Sequence, residues 1–210
     1  MPDPFNNLSA LEKRLGISPQ ENSELNGSRV LKAYEFAKLA HGDQKRDEGT
    51  AYVIHPLRVA LILLDDICVA DEVMVMAALL HDVVEDTTKG IQEIKDSFGD
   101  SVSDLVQALT RVRVYPESEP HKFARKGDMF DWYIHEASEK VRLIKCADIL
   151  DNMRSWAYIP DGHNSEKKFR RWMREAELYY MPLAKLTHPF FAHEIAALVE
   201  KYREEKRFAA

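Results

Sequence analysis

The spacing of apolar residues is the feature of this chain that most constrains its fold. Apolar side chains recur three and four positions apart, as at Leu31 and Tyr34 and again at Leu105 and Leu109. This spacing places side chains on one face of an α-helix, and no stretch alternates with a period of two for long enough to indicate a sheet. The pattern therefore predicts an all-α fold of about ten helices. The candidate helices cover residues 8–15, 28–42, 56–65, 71–84, 91–97, 101–112, 121–137, 139–157, 165–186 and 189–205.

Length and the distribution of prolines favour one domain. The chain has 210 residues, which suits one or two domains, with one the better expectation. The segment 114–120 contains two prolines and is predicted to be a loop, but no shift in composition marks it as a linker. We expect a single domain over residues 1–210, with its core at about 28–205. Residues 1–27 would form an N-terminal extension with a short helix.

Charge and hydropathy exclude several classes of partner. The net charge is −6 and no dense basic tail is present, so nucleic acid is not an expected partner. The longest clean apolar run, 59–64, is far shorter than the roughly 20 residues that span a bilayer, and residues 1–7 lack the apolar segment of a signal peptide. Cys68 and Cys146 lie in apolar stretches, are expected to be buried, and cannot form a disulfide framework. We expect a cytoplasmic protein without a membrane partner.

The segment Leu79–Thr88 concentrates ionisable residues at the end of an apolar stretch. On a helix, His81 lies one turn from Glu85 and Asp82 one turn from Asp86, so each pair shares a side. A solvated helix end would account for this segment taken alone. Burying a carboxylate without a partner costs free energy, however, and a divalent cation would compensate its charge.

Two further segments contribute candidate residues to the same chemistry. His55 follows an apolar stretch and stands at the start of a candidate helix. The helix 139–157 is apolar on most sides and carries one polar stripe, formed by Lys145, Asp148, Asn152 and Ser155. A buried stripe of this kind is either a polar network or part of a site.

Together these segments resemble a known family. The chain has His-Pro at 55–56, Leu-Leu-His-Asp-Val-Val-Glu-Asp-Thr at 79–87 and Ala-Asp-Ile-Leu-Asp-Asn-Met-Arg at 147–154. Ala-His-Gly-Asp-Gln-Lys-Arg at 40–46 and Tyr-Met-Pro-Leu-Ala at 180–184 extend the match. In this order the motifs are similar to those of the HD-domain hydrolases of the RelA/SpoT type. In size the chain is most similar to the small alarmone hydrolases, which carry the hydrolase domain alone, so the resemblance implies an HD-domain helical bundle.

The resemblance also implies an activity and a set of site residues. The family removes the 3′-pyrophosphate of the alarmone (p)ppGpp, which gives GDP or GTP and pyrophosphate. One divalent ion, typically Mn²⁺, would be bound by four ligands: His55, His81, Asp82 and Asp148. The attacking water would be handled by two carboxylates: Glu85 and Asp86. Nucleotide contacts and lining of the site would fall to four residues: Arg46, Tyr52, Lys145 and Asn152.

The donor set and the proposed chemistry agree. Imidazole and carboxylate ligands without cysteine favour Mn²⁺ or Fe²⁺ over structural zinc. A bound metal ion would activate water, and Glu85 or Asp86 would accept its proton. Lys145 and Arg46 would neutralise charge that develops on phosphate oxygens.

Five departures from the family pattern leave the substrate open. Asp47 and Glu48 follow Arg46 where the family usually has Lys and a small residue, and Ala51 replaces a proline. Ile149 and Asp151 stand where Arg and His are common. An adenosine alarmone such as (p)ppApp and NADPH are therefore alternative substrates, and a nucleotide-binding HD module without turnover is the alternative of another class. No synthetase domain is expected, and a homo-oligomer is left open.

Overall fold

A computed structural model of the chain describes residues 12–13, 27–111, 118–159 and 163–205. The chain divides into two compact units, Met1–Arg113 and Val114–Ala210. Of the candidate helix 8–15, only residues 12–13 are described, and these are helical; the rest of the N-terminal extension up to residue 26 lies outside the described residues. Most of the predicted loop 114–120 also lies outside them. Its last residues are not loop, because a helix begins at Glu119. The single domain over residues 1–210 stays a prediction.

The first unit is helical throughout its described part. Its elements are α1 (Gly27–His41), α2 (Ile54–Leu61) with a π-helical turn (Ile62–Asp66), α3 (Glu72–Leu80), α4 (Val83–Asp86), α5 (Ile91–Phe98) and α6 (Asp100–Leu109). The apolar helix α3 packs against α1, α2 and α6. Every residue of α3 from Met74 to Leu80 is buried, so this helix forms the centre of the unit's core.

The second unit is also helical in its described part. Its elements are α7 (Glu119–His135), α8 (Glu139–Ser155) with a 3₁₀ turn (Trp156–Tyr158), α9 (His163–Glu175) with a π-helical turn (Ala176–Tyr180), α10 (Met181–Thr187) and α11 (Pro189–Glu204). The helix α8 packs against α10 and α11. Tyr202 on α11 donates a hydrogen bond to the Met153 carbonyl at 2.7 Å, which ties the last helix to α8.

Local sequence signals explain where several helices begin. The Asp71 carboxylate accepts the backbone N–H groups of Val73 and Met74, at 2.9 and 3.1 Å, and so caps α3. Ser138 caps α8 through the N–H of Val141. These are side-chain acceptors for N–H groups that have no partner within the helix.

The all-α prediction is confirmed, and two long candidate helices are interrupted. Among the described residues the only extended pairing is an isolated antiparallel bridge between Lys45 and Ala51. The candidate helix 165–186 is broken by the π-helical turn before α10, because Pro182 in the first turn of α10 has no N–H to continue the ladder. The candidate helix 71–84 ends at Leu80, and His81 and Asp82 form a turn before α4.

The two cysteines differ in exposure. The prediction that both cysteines are buried holds for Cys146 but is wrong for Cys68, which is exposed. Cys68 has a φ of 56° and lies in the short connection between the π-helical turn and α3, outside the buried helices. Among the residues that the structure describes, no helix has the length and apolar character needed to cross a membrane.

Candidate active site

The turn at His81 and Asp82 carries the central residues of the site. Both residues keep right-handed helical dihedral angles, and the Asp86 N–H donates to the Asp82 carbonyl at 2.9 Å. This backbone bond retains helical spacing across the break. Asp82 and Asp86 therefore still face the same way, as the helical spacing predicted.

Three potential metal ligands converge in the first unit. His55 on α2, His81 and Asp82 offer ligand atoms that all lie within 4.8 Å of one another. The Nε2 atom of His55 lies 3.6 Å from Asp82 Oδ2, and Nε2 of His81 lies 3.3 Å from Asp82 Oδ1. Both histidines are buried, with 1% and 4% of their surface exposed. The carboxylate thus lies between two imidazole nitrogens in a site largely closed to solvent.

The hydrogen bonding of His81 fits metal binding. Its Nδ1 lies 2.8 Å from the Ala78 carbonyl, and a carbonyl can only accept. Nδ1 therefore holds the proton in the neutral ring, and Nε2 presents a lone pair towards Asp82. A ligand histidine is commonly held in this way by a carbonyl at its other nitrogen. The donor set of two imidazoles and a carboxylate suits a divalent transition metal ion.

Tyr52 connects this group to Asp86. Its hydroxyl lies 2.8 Å from Asp82 Oδ2 and 2.6 Å from Asp86 Oδ2. Burial, followed by the charges of Asp82 and Asp86, raises the pKa of the Tyr52 hydroxyl, so it remains protonated and donates. The ring stacks on His41 at a centroid distance of 4.3 Å. The family resemblance implied that Tyr52 contacts the nucleotide, and the structure adds that its hydroxyl contacts two carboxylates.

His41 and Gln44 support the same residues from the end of α1. His41 Nδ1 lies 2.9 Å from Gln44 Oε1, and Gln44 Nε2 donates to the Asp86 carbonyl at 2.8 Å. Burial lowers the pKa of His41, which favours the neutral ring. A neutral His41 stacked on Tyr52 holds the aromatic ring without adding charge beside the carboxylates.

Glu85 makes a different set of contacts from its neighbour Asp86. The Arg111 guanidinium approaches the Glu85 carboxylate with Nε at 3.0 Å and a terminal nitrogen at 2.5 Å. The backbone N–H of Arg111 lies 3.2 Å from the same carboxylate. The Glu85 side chain is only 3% exposed, whereas that of Arg111 is 41% exposed. The two carboxylates predicted to handle water are therefore held by different partners.

Arg111 was not identified from the sequence. It lies 26 positions from Glu85, beyond any helical spacing, and two residues after the end of α6. The packing of α3 against α6 brings the two chain segments together. No local pattern would have identified the pair.

Arg46 and the acidic residues that follow it lie in a tight loop before α2. The Arg46 guanidinium lies over the Tyr52 ring, 5.6 Å from its centroid. The Glu48 carboxylate faces Arg46, whereas Asp47 is exposed. The loop therefore directs its two acids differently.

The second unit contains the remaining predicted site residues, all on α8. Asp148 is buried and accepts from Lys145 Nζ at 2.7 Å and from Asn152 Nδ2 at 2.5 Å. Both oxygens of Asp148 are thus oriented by residues one turn away. The departures Ile149 and Asp151 are buried in the same helix. The predicted stripe is a hydrogen-bonded polar network, and the role of Asp148 as a metal ligand stays a prediction.

Comparison with known proteins identifies a matching family and several relatives of the chain. A family model described as "HD domain" matches residues 33–188. The chain is 38% identical over 178 residues to guanosine-3′,5′-bis(diphosphate) 3′-pyrophosphohydrolase of Aquifex aeolicus, with 83% of this chain and 23% of that protein covered. It is 39% identical over 163 residues to the GTP pyrophosphokinase rsh of Brucella ovis, with 77% of this chain and 20% of that protein covered. The chain thus spans about a fifth of the length of these curated relatives.

Solved structures agree with these matches. One, described as a metazoan ortholog of SpoT that hydrolyses ppGpp and plays a role in starvation responses, has a TM-score of 0.70 and 26% identity. The match covers 87% of this chain and 98% of that one. A crystal structure of a Listeria monocytogenes protein has a TM-score of 0.50 and 30% identity, with 71% of this chain and 94% of that one covered.

These matches confirm the resemblance to RelA/SpoT-type hydrolases and, at the level of the family, the prediction of an enzyme. The structure brings His55, His81 and Asp82 together, and the fold is the helical one that the motifs implied. The chain belongs to the HD domain family.

Proposed function

We propose that this chain is a metal-dependent hydrolase that removes the 3′-pyrophosphate of (p)ppGpp, with Mn²⁺ as its ion. The products would be pyrophosphate and GDP or GTP. The observation that carries the proposal is the buried group of His55, His81 and Asp82, with Asp86 joined to it through the Tyr52 hydroxyl. Such a group combines an ion site with an adjacent carboxylate, which are the two elements that phosphate hydrolysis requires.

The names of relatives support the choice of substrate. Proteins from Aquifex aeolicus and Synechocystis that share 38% and 33% of aligned residues with this chain are named as hydrolases, the latter as a probable one, of guanosine-3′,5′-bis(diphosphate). The metazoan SpoT ortholog is described as hydrolysing ppGpp. We extend that activity to this chain, with a small nucleotide as its partner and the cytoplasm as its location.

Four residues would hold the ion. His55, His81 and Asp82 supply three ligands, and the family resemblance assigns the fourth to Asp148. A bound divalent ion would polarise a phosphoryl oxygen and lower the pKa of a coordinated water. Four protein ligands would leave further coordination positions for substrate and water.

The carboxylates Asp86 and Glu85 are the two candidates for the general base. One of them accepts a proton from the attacking water, and its partner, Tyr52 or Arg111, fixes its direction. Arg46 and Lys145 would compensate negative charge on the substrate, and Asn152 would line the site beside Asp148. Lys145 also donates to Asp148 at 2.7 Å and so orients that carboxylate.

The direct test offers ppGpp, ppApp and NADPH separately to the purified chain with Mn²⁺ and identifies the products. Pyrophosphate and GDP from ppGpp support the proposal. Pyrophosphate from ppApp alone would indicate that the enzyme selects adenine and not guanine as the base of its substrate. Inorganic phosphate from NADPH alone, or nucleotide binding without turnover on any substrate, would overturn the proposal in favour of another phosphatase or a regulatory HD module.

A further inference from the structure

The loop before α2 has a geometry that fixes its side chains. The Arg46 N–H donates to the Thr50 carbonyl at 3.0 Å, and the Gly49 N–H donates to the Arg46 carbonyl at 2.9 Å. Gly49 has a φ of +88°, a conformation that glycine adopts without strain. The Lys45–Ala51 bridge closes the loop. This closed loop sets the positions of Arg46 and Glu48 relative to α2.

Glu48 is buried in a network of donors. Its Oε1 accepts from Arg46 Nε and from the Thr50 hydroxyl, both at 3.2 Å. A terminal nitrogen of Arg58 on α2 lies 3.7 Å from the same oxygen, and the side chains of Glu48 and Arg58 are each 3% exposed. A buried carboxylate among two guanidinium groups is electrostatically compensated. The Glu48 carboxylate therefore faces inward, towards the two arginines.

The contact of Glu48 with Arg46 leads to the proposed catalytic carboxylates. Glu48 holds Nε of Arg46, whose guanidinium lies over the Tyr52 ring. The Tyr52 hydroxyl in turn contacts Asp82 and Asp86. A guanidinium fixed at Nε keeps its plane and direction, and Arg side chains otherwise have many rotamers to lose when they bind a ligand.

We propose that Glu48 is a positioning residue, which holds Arg46 in the orientation that receives the nucleotide. The inference rests on the proposed function, because the nucleotide is the ligand that Arg46 would contact. The proposal also predicts the direction in which Glu48 changes the affinity for a polyphosphate. A carboxylate that only masked an arginine charge would weaken the binding of a polyphosphate, whereas a carboxylate that orients Arg46 strengthens it.

The test compares Glu48→Gln with Asp47→Asn, a matched variant that removes the same charge from the exposed neighbour in the loop. We expect Glu48→Gln to raise KM for ppGpp about tenfold, as for the replacement of a charge-assisted hydrogen bond by a neutral one, with kcat within about twofold. Asp47→Asn should leave KM within about twofold. A lower KM in Glu48→Gln would overturn the proposal, because it would identify Glu48 as a mask of charge. An unchanged KM would overturn it as well.

A second measurement does not depend on activity. In the protein labelled with ¹⁵N-arginine, the Arg46 Nε–H signal, assigned by its loss in Arg46→Lys, should exchange slowly with solvent in the wild type. Exchange should be at least about tenfold faster in Glu48→Gln. Rapid exchange in the wild type would overturn the positioning role, even if Glu48→Gln did not fold. If the wild type hydrolyses no ppGpp but Arg46 Nε–H is protected, the proposed function fails and the positioning of Arg46 stands.

Discussion

Removing the Tyr52 hydroxyl tests the link between the candidate ion site and Asp86. Tyr52→Phe keeps the ring, and with it the stacking on His41 at 4.3 Å and the contact with Arg46 at 5.6 Å. It deletes only the oxygen that lies 2.8 Å from Asp82 and 2.6 Å from Asp86. The variant therefore separates the hydroxyl from the aromatic surface.

The single proton of the Tyr52 hydroxyl limits how much its removal can change the affinity for Mn²⁺. One hydroxyl has one proton, so it donates to only one of the two carboxylates at a time. A hydrogen bond to a charged group contributes about 1.5–3 kcal/mol. Loss of a partner that orients a metal ligand typically lowers metal affinity about 10–100-fold, which is the same range of free energy. We expect the Kd for Mn²⁺ to rise by that factor in Tyr52→Phe.

The assay is a calorimetric titration of Mn²⁺ into the metal-free protein. Tyr34→Phe is the matched control, because it also removes a tyrosine hydroxyl that donates to a carboxylate, that of Glu12, elsewhere in the first unit. It should leave the Kd for Mn²⁺ unchanged. Equal Mn²⁺ affinity in Tyr52→Phe and the wild type would refute the argument that this hydroxyl orients Asp82.

Four further outcomes are expected. Arg111→Gln should lower the free energy of unfolding in urea by about 1–2 kcal/mol, less than for a fully buried pair because Arg111 is 41% exposed, and an unchanged urea midpoint would contradict this. Glu85→Gln should retain Mn²⁺ by calorimetry but slow ppGpp turnover by about 100-fold, and unchanged turnover would remove Glu85 from the mechanism. Asp148→Ala should lose Mn²⁺ and activity together, whereas full metal content would exclude it from the ligand set. Burial raises the pKa of Cys146 to about 12, so below that pH its side chain stays a thiol. A thiol reagent at pH 8 should therefore label Cys68 alone until the protein unfolds. Rapid labelling of Cys146 in the native protein would contradict its burial.

Helix positions were predictable because they depend on local spacing. The helices α5 and α11 begin within a residue or two of their predicted positions, since apolar periodicity and Pro189 mark them directly. The break at His81 and Asp82 was not predicted. Both residues keep near-helical dihedral angles there, so the sequence retains a helical pattern through the turn. Asp82 and Asp86 nevertheless retain the relation that the pattern predicted.

The site was predictable where a short motif contains it. His81, Asp82, Glu85 and Asp86 fall within six consecutive positions, so the family motif alone indicates all four. Arg111 was missed because its contact with Glu85 depends on the packing of distant helices. The inward direction of Glu48 was not predictable, because a sequence does not show which way a loop side chain points.

The measurement that tests the central claim most directly is a titration of metal-free protein with Mn²⁺ while pyrophosphate release from ppGpp is recorded. If His55, His81 and Asp82 belong to one catalytic ion site, the rate should rise in proportion to bound Mn²⁺ and level off at about one ion per chain. Full activity in the metal-free protein, or one bound ion per chain without pyrophosphate release, would contradict the account.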